Sequence, residues 1–447
     1  MAVTRIVVLV DGTWCGTDAN TESNINYLAR MIGVSPTAND PTYTSTTENI
    51  HAKYFNGVGL GGDFLSYLWD GAFATHAKED CTEVYKYIVQ NYTSGCEIWM
   101  FGISRGAYTV RSVAGMINNC GIIKERDNTE MIEQVYDVYR SPYPVNEPSS
   151  LDMENFRRSA SYDVKTPIKF MGLFDTVGAR GIPKLDYDSG TGFEWPEFHD
   201  NLVSSVVEKV YHALAMHDRL WAFQPCMASR HLKHAGRHDL RIYQTWFPGT
   251  HYDLARQEFQ CFRERRKGLE GMISFIINKL SYTVFPNNQL ADLVLLWMLE
   301  KIAFEGGGSI IKQNEKSEAM SIVDIVKVLR ASLPEGSTGT GDMYGDIFRY
   351  LPLGKIIKFP RFVQLIKPTL YKAIINPKNR VIPELGNPMN DLVQNEVYNY
   401  TVEDSRLGTS IVGITAQVGG RKEQNQRYPS RTFQDHIVYM EGTGRTV

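Results

Sequence analysis

The chain has 447 residues, 43% hydrophobic and 22% charged, which excludes a disordered protein and predicts one large core with room for an insertion. Its 47 basic and 50 acidic residues give a net charge of -3, so the composition carries no global basic excess of the kind that binds nucleic acid. The six cysteines form no C-x-x-C pair and no zinc spacing. We therefore expect reduced thiols, no metal site and no cofactor.

The first predicted element is a buried strand over residues 6–10, which ends in the turn Asp11-Gly12-Thr13-Trp14. No signal-peptide pattern precedes it, and no apolar stretch reaches the roughly 18 residues that a membrane span needs. The sequence predicts a cytoplasmic protein, or one that sits on a membrane surface without crossing the bilayer.

A short helix follows, because Ser23 is a typical N-cap and Gly33 a typical helix end. Between these two residues, Ile25, Leu28 and Ile32 fall on one side of the helix. A longer helix is predicted over residues 78–92.

The most informative motif is Gly102-Ile103-Ser104-Arg105-Gly106, which lies between a predicted strand at 97–101 and a predicted helix at 107–117. This is the G-x-S-x-G nucleophile elbow in its required context. Small residues on both sides of the serine let strand and helix pack closely. Ser104 is the candidate nucleophile, and the alternative is an ordinary strand-to-helix turn with a capping serine.

Later elements continue the alternation of strands and helices. Strands are predicted over 168–174 and 240–246, with a helix over 203–223 between them. The sequence predicts an α/β fold, a doubly wound and mostly parallel sheet with a helical cap insertion. We divide it into a catalytic core at 1–260, a helical cap at 261–380 and a C-terminal segment at 381–447 that packs on the core.

Ser104, Asp175 and His251 follow one another in the chain order of a hydrolase triad, each just past a predicted strand. Two alternatives remain open: His436 competes for the base and Asp253 for the acid. We expect the other histidines, including His212 on its predicted helix, to be surface or packing residues.

The turn after the first strand supplies the predicted oxyanion hole, in which backbone N–H groups of Gly12 and Thr13 act together with that of Arg105. Trp14 and Arg111 are assigned to substrate binding. For the arginines, pairing with nearby carboxylates remains an equal alternative to an anionic substrate group.

Five blocks together resemble a known family: Val10-Asp11-Gly12-Thr13-Trp14, Ser23-Asn24-Ile25, the stretch at 101–111, Gly172-Leu173-Phe174-Asp175-Thr176-Val177, and Trp246-Phe247-Pro248-Gly249-Thr250-His251. They are similar to the α/β-hydrolase family that includes the phospholipase effectors of bacterial type VI secretion and many uncharacterised fungal proteins. The resemblance covers residues 4–260 and implies a triad of Ser104, Asp175 and His251.

We therefore expect a serine hydrolase that cleaves a carboxylic ester through an acyl-enzyme. A lipid ester is the expected substrate. The alternatives are a non-catalytic ligand- or lipid-binding protein on a hydrolase scaffold and an amide or thioester hydrolase.

Residues 350–375 mix apolar side chains with five basic ones, which fits either peripheral membrane contact or a core helix with a basic face. The sequence does not indicate an oligomeric state.

Overall fold

The described part of the chain is built around one eight-stranded sheet in a computed structural model. The strands that form it are β1 (Arg5–Val10), β2 (Thr44–Thr47), β3 (Ile50–Phe55), β4 (Glu97–Ile103), β5 (Ile168–Phe174), β6 (Val207–Ala215), β7 (Arg241–Phe247) and, after two short strands β8 (Phe259–Gln260) and β9 (Thr283–Val284), β10 (Val393–Val397). The structure describes residues 3–12, 22–34, 44–47, 49–57, 73–177, 203, 205–216, 218, 225–229, 240–247, 249–257, 259–260, 283–284, 286, 288–311, 393–397, 417–418 and 421–422.

The strand order across this sheet is β10-β7-β6-β5-β4-β1-β3-β2. Every neighbouring pair is parallel except β2 and β3, which are antiparallel. Strands β8 and β9 pair separately, as do β11 (Gln417–Val418) and β12 (Arg421–Lys422). The predicted α/β class with a mostly parallel sheet is confirmed.

Helices cover both faces of the sheet. They are α1 (Asn24–Ile32), α2 (Phe73–Asn91), α3 (Arg105–Cys120), α4 (Thr129–Tyr139), α5 (Leu151–Ala160), α6 (His251–Ala255) and α7 (Asn288–Phe304). Side chains of β1 alternate between the two faces: Ile6 and Val8 join the core formed with α2 to α5, whereas Val7 and Leu9 join the core formed with α1, α6 and α7. This double covering explains why the central strands read as continuous apolar runs.

The predicted ends of α1 are confirmed. The Ser23 side chain accepts hydrogen bonds from the N–H groups of Ile25 and Asn26, and Gly33 ends the helix in the left-handed conformation with φ of 88°. Both ends use the local chemistry that the sequence displays, an N-cap hydroxyl and a residue without Cβ.

The helix predicted over 203–223 is wrong, because residues 207–215 form β6. This strand lies between β5 and β7, and its last six residues, 210–215, are buried. A short apolar segment that is covered on both faces has no clear period, so strand and helix cannot be separated by pattern alone. Pairing with two neighbouring strands decides in favour of the strand.

Helix α7 (Asn288–Phe304) packs on the sheet. The Trp297 ring meets Tyr211 and Phe247 edge-on, with centroid distances of 6.1 and 5.4 Å. It belongs to the predicted cap, most of which lies outside the described residues, so the proposed domain division stays a prediction. No helix in the described ranges is long and apolar enough to cross a membrane.

The turn from β4 into α3 brings backbone against backbone. A Cβ on Gly102 would lie 2.5 Å from the carbonyl oxygen of Gly106, and one on Gly106 would lie 2.1 Å from that of Val10. Carbon atoms do not approach oxygen so closely, and a backbone oxygen cannot rotate away. Gly102 is therefore a steric requirement of the turn from β4 into α3, and Gly106 is one of the crossing between α3 and β1.

We predict that Gly106→Ala lowers the free energy of unfolding by about 3 kcal/mol or more, because the added methyl overlaps fixed backbone atoms. The control is Gly95→Ala, where φ is 91° but a Cβ would meet nothing within 4 Å. That change carries only the left-handed strain of about 1–2 kcal/mol. Urea denaturation measures both, and equal losses would contradict the steric argument.

Candidate active site

Ser104 stands at the tip of the turn between β4 and α3. Its φ of 55° and ψ of -117° lie outside the regions that non-glycine residues prefer, and such a residue costs roughly 1–3 kcal/mol unless its surroundings hold it. Its N–H donates to the carbonyl of Phe174 at 2.9 Å, which ties the elbow to the end of β5. The strained serine that the motif predicts is present.

His251 comes after β7 and begins α6, directly following the N-cap Thr250. Its ring bridges two side chains: Nε2 lies 2.9 Å from Ser104 Oγ, and Nδ1 lies 2.7 Å from Asp175 Oδ2. When the ring proton is on Nδ1, Nδ1–H donates a hydrogen bond to the Asp175 carboxylate, and Nε2 accepts one from the Ser104 hydroxyl. All three side chains are buried, with Asp175 0% exposed.

Asp175 follows β5 and is held by backbone groups on its other side. Its Oδ1 accepts the N–H of Ala215 at 2.8 Å, and its own N–H donates to the carbonyl of Ala213 at 2.7 Å. Its φ of 41° is left-handed, so this aspartate carries strain like that of Ser104. The orientation of the carboxylate therefore depends on the end of β6 beside it.

The rival acid, Asp253, makes different contacts. Its Oδ2 accepts the N–H of Thr250 at 2.8 Å and the Thr250 hydroxyl at 3.0 Å. The carboxylate thus stabilises the turn in front of α6, which carries His251. The rival base, His436, lies outside the described residues.

Sequence reasoning missed Asp218. This residue is 0% exposed and its Oδ2 accepts the N–H of His251 at 3.2 Å, so it helps to fix the histidine at the start of α6. The available signal was its position just past an apolar segment, the place where Asp175 and His251 also stand relative to their strands. A helix predicted over that segment hides this position, because Asp218 marks a strand end only when residues 207–215 form a strand.

Asp11 stabilises the turn after β1. Its Oδ1 accepts the N–H of Gly12 at 2.8 Å, and its Oδ2 accepts the hydroxyls of Ser23 and Tyr54, each at 2.6 Å. A buried carboxylate needs such donors because burial removes its water. Through Ser23, the same network fixes the start of α1.

Gly12 lies beside the serine, since a Cβ built on it would be 3.1 Å from Ser104 Cβ. The N–H of Gly12 donates to the Asp11 carboxylate, so its predicted role in an oxyanion hole stays a prediction. Thr13 and Trp14 lie outside the described residues. Arg105 is the first residue of α3, and the first N–H groups of a helix have no partner within the helix and point past its N-terminus.

Arg111 is buried on α3 and binds two backbone carbonyls. Its Nη1 donates to the carbonyl of Cys226 at 2.6 Å and its Nη2 to that of Met227 at 3.3 Å. The guanidinium thereby attaches residues 226–227 to α3. Contact with an anionic substrate group stays a prediction for this residue.

The buried thiols of Cys81 and Cys120 do not compete with the serine. Burial raises the pKa of the Cys120 thiol to about 12, and it also raises that of Cys81. Both stay protonated at neutral pH, and a thiol attacks only as thiolate. Within the described ranges, no group of three or more His, Cys, Asp or Glu side chains could hold a metal ion.

The chain is similar to proteins of one family. The family described as the type VI secretion phospholipase effector Tle1-like catalytic domain matches residues 4–301. The uncharacterised protein YEL023C of Saccharomyces cerevisiae is 28% identical over 165 residues, which are 36% of this chain and 23% of that protein. The crystal structure of an uncharacterised protein from Pseudomonas aeruginosa aligns with 74% of this chain and 53% of its own, at 15% identity and a TM-score of 0.31. The chain thus spans less than two thirds of either protein.

Proposed function

The chain belongs to the family of type VI secretion Tle1-like phospholipase effector catalytic domains, and from that premise we propose that it is a serine hydrolase that cleaves a carboxylic ester of a lipid. The family supports lipid-ester hydrolysis in general. The observation that carries the serine mechanism is the alignment of Ser104 Oγ, His251 and Asp175 through contacts of 2.9 and 2.7 Å in a buried site.

In the proposed reaction, Ser104 Oγ attacks the acyl carbonyl while His251 Nε2 takes the hydroxyl proton. Asp175 keeps the imidazole in the required tautomer and stabilises its charged form. The imidazolium then gives the proton to the leaving alcohol, and an acyl-enzyme remains. Water, activated by the same histidine, attacks this ester and releases the acid.

The oxyanion that forms in both steps needs donors beside the serine. We propose the N–H of Arg105, because α3 begins at that residue, and that of Thr13, because the residue before it in the chain, Gly12, lies against Ser104. The positive end of the α3 dipole adds to this stabilisation. Gly12 contributes the absence of a side chain, which keeps the space beside Ser104 open.

We predict that a fluorophosphonate probe labels the protein at one serine and that Ser104→Ala abolishes both labelling and hydrolysis. The activated hydroxyl is the only chemical requirement of the probe. Ser159→Ala is the control, because the Ser159 hydroxyl contacts only carbonyls of its own helix among the described residues. Labelling that survives Ser104→Ala on a folded protein would refute the serine mechanism. A folded wild type that is never labelled would favour the non-catalytic binding protein.

We predict that His251→Ala lowers kcat/KM at least about 10³-fold and that Asp175→Asn does so about 10³- to 10⁴-fold, since triad members act as a unit. Asp253→Asn and His436→Ala are the matched controls. The first weakens the turn at Thr250 and should cost about 1 kcal/mol of stability with a mild effect on turnover. Steady-state kinetics decide the assignment, and a larger loss in either control than in its partner would reverse it.

The substrate surface is a separate proposal, because residues 350–375 lie outside the described residues. We predict that neutralising Lys355, Lys358, Arg361, Lys367 and Lys372 together lowers hydrolysis of anionic phospholipid vesicles about tenfold or more. Basic residues near anionic lipid contribute about 1 kcal/mol each. Hydrolysis of a short soluble ester is the internal control and should be unchanged. Equal rates on vesicles before and after neutralisation would exclude this membrane contact.

A further inference from the structure

The left-handed turn at Asp175 needs support from residues outside the proposed triad. Asp175 has φ of 41° without being glycine, and its Oδ2 must stay 2.7 Å from His251 Nδ1. Rotation of this residue towards a relaxed conformation would carry the carboxylate away from the ring. The N–H of Ala215 holds Oδ1 directly, and the backbone conformation that aims the carboxylate also depends on what holds the next residue, Thr176.

His212 holds Thr176 from β6. It is 0% exposed and pairs with Leu173 of β5. Its Nε2 lies 3.2 Å from the N–H of Thr176 and 3.1 Å from the Thr176 hydroxyl. A backbone N–H can only donate, so Nε2 is the acceptor and the ring is neutral with its proton on Nδ1.

The carbonyl of Thr176 is held from the opposite direction. It accepts the N–H of Cys226 at 2.8 Å, and the carbonyl of Cys226 in turn accepts Arg111 Nη1 at 2.6 Å. Thr176 is thus fixed at both of its backbone polar groups, by a strand on one side and by an arginine-bound segment on the other. Among the described residues, His212 supplies the one side chain that binds its N–H.

We propose that His212 is a positioning residue of the catalytic acid, a role that rests on the proposed triad. It accepts the Thr176 N–H, keeps Asp175 in its left-handed conformation, and so keeps Oδ2 against His251 Nδ1. Its hydrogen bonds to Thr176 lead to the residue next to Asp175, so we assign its effect to the position of that carboxylate. Any acceptor placed where Nε2 stands can replace it.

Two amide substitutions separate this role from core packing. His212→Gln extends an amide oxygen to about the position of Nε2, whereas His212→Asn is one methylene shorter and leaves the Thr176 N–H without that acceptor. We expect kcat on a soluble ester to fall about 10²-fold in His212→Asn, because displacement of a catalytic group by about 1 Å has effects of that size. KM should stay unchanged, and His212→Gln should stay within about threefold of wild type, the margin we set for a retained acceptor.

A spectroscopic readout follows the geometry without relying on turnover. The proton between His251 Nδ1 and Asp175 should give a far-downfield ¹H NMR resonance in wild type, in Ser104→Ala and in His212→Gln. We expect it to be lost or moved upfield in His212→Asn. His212→Leu, apolar and close in volume, should behave like His212→Asn, and either of the two is sufficient if the other does not fold.

The outcomes separate this inference from the proposed function. If a folded His212→Asn or His212→Leu keeps the wild-type kcat and the downfield proton, the positioning role is wrong. If His212→Gln loses as much as His212→Asn while its downfield proton persists, the residue acts by packing and the proposal fails. If Ser104→Ala keeps the activity, the proposed function fails instead, and the NMR comparison still decides whether His212 positions Asp175.

Discussion

The approach of α3 to β1 without intervening side chains is the constraint on which the site depends. Gly106 allows it, because a Cβ there would overlap the carbonyl of Val10, and Gly102 allows the turn that leads into α3. Ser104, at the start of this crossing, has a conformation that non-glycine residues avoid, and its hydroxyl lies buried at the carboxyl edge of the sheet. The strain is borne by neighbours: the N–H of Ser104 donates to Phe174, and its carbonyl accepts the N–H of Val177 at 3.4 Å. The turn that carries Ser104 and the turn that carries Asp175 are therefore joined by hydrogen bonds into one unit.

Parallel pairing brings the remaining groups to this edge. In a parallel sheet the carboxyl ends of all strands lie together, so residues that follow β1, β4, β5, β6 and β7 meet although they are far apart in the chain. Four of them are buried aspartates, and each has a different set of donors. Asp11 binds two hydroxyls and an N–H, Asp175 binds His251 and an N–H, Asp218 binds the N–H of His251, and Asp253 binds Thr250. Contact with the ring distinguishes the proposed catalytic acid from the three that stabilise turns.

Because the four carboxylates are buried, their hydrogen bonds replace the water that burial removes. A carboxylate without water is stable only when donors replace the water, and the donors found here are fixed backbone N–H groups and hydroxyls. In the proposed reaction, the same fixed groups would limit reorganisation of the site, which is what electrostatic stabilisation of an oxyanion requires. Arg111 belongs to this framework through the carbonyls of Cys226 and Met227, since it secures the segment that binds Thr176.

Features that depend on neighbouring residues could be predicted from the amino-acid sequence. They are the buried strands β1, β4, β5 and β7, the two ends of α1, the glycines around Ser104, and the order of Ser104, Asp175 and His251. Each of these has a local signature, such as an apolar run, a cap or a residue without Cβ. Three features depend on long-range contacts and could not be predicted. Residues 207–215 are a strand, and Asp253 binds Thr250 rather than the His251 ring. His212 and Asp218 lie next to the site. His212 is 36 residues from Thr176, and Asp218 is 33 residues from His251. Contacts over such distances follow from strand pairing. A short segment that is buried on both faces has no hydrophobic periodicity from which its pairing could be predicted.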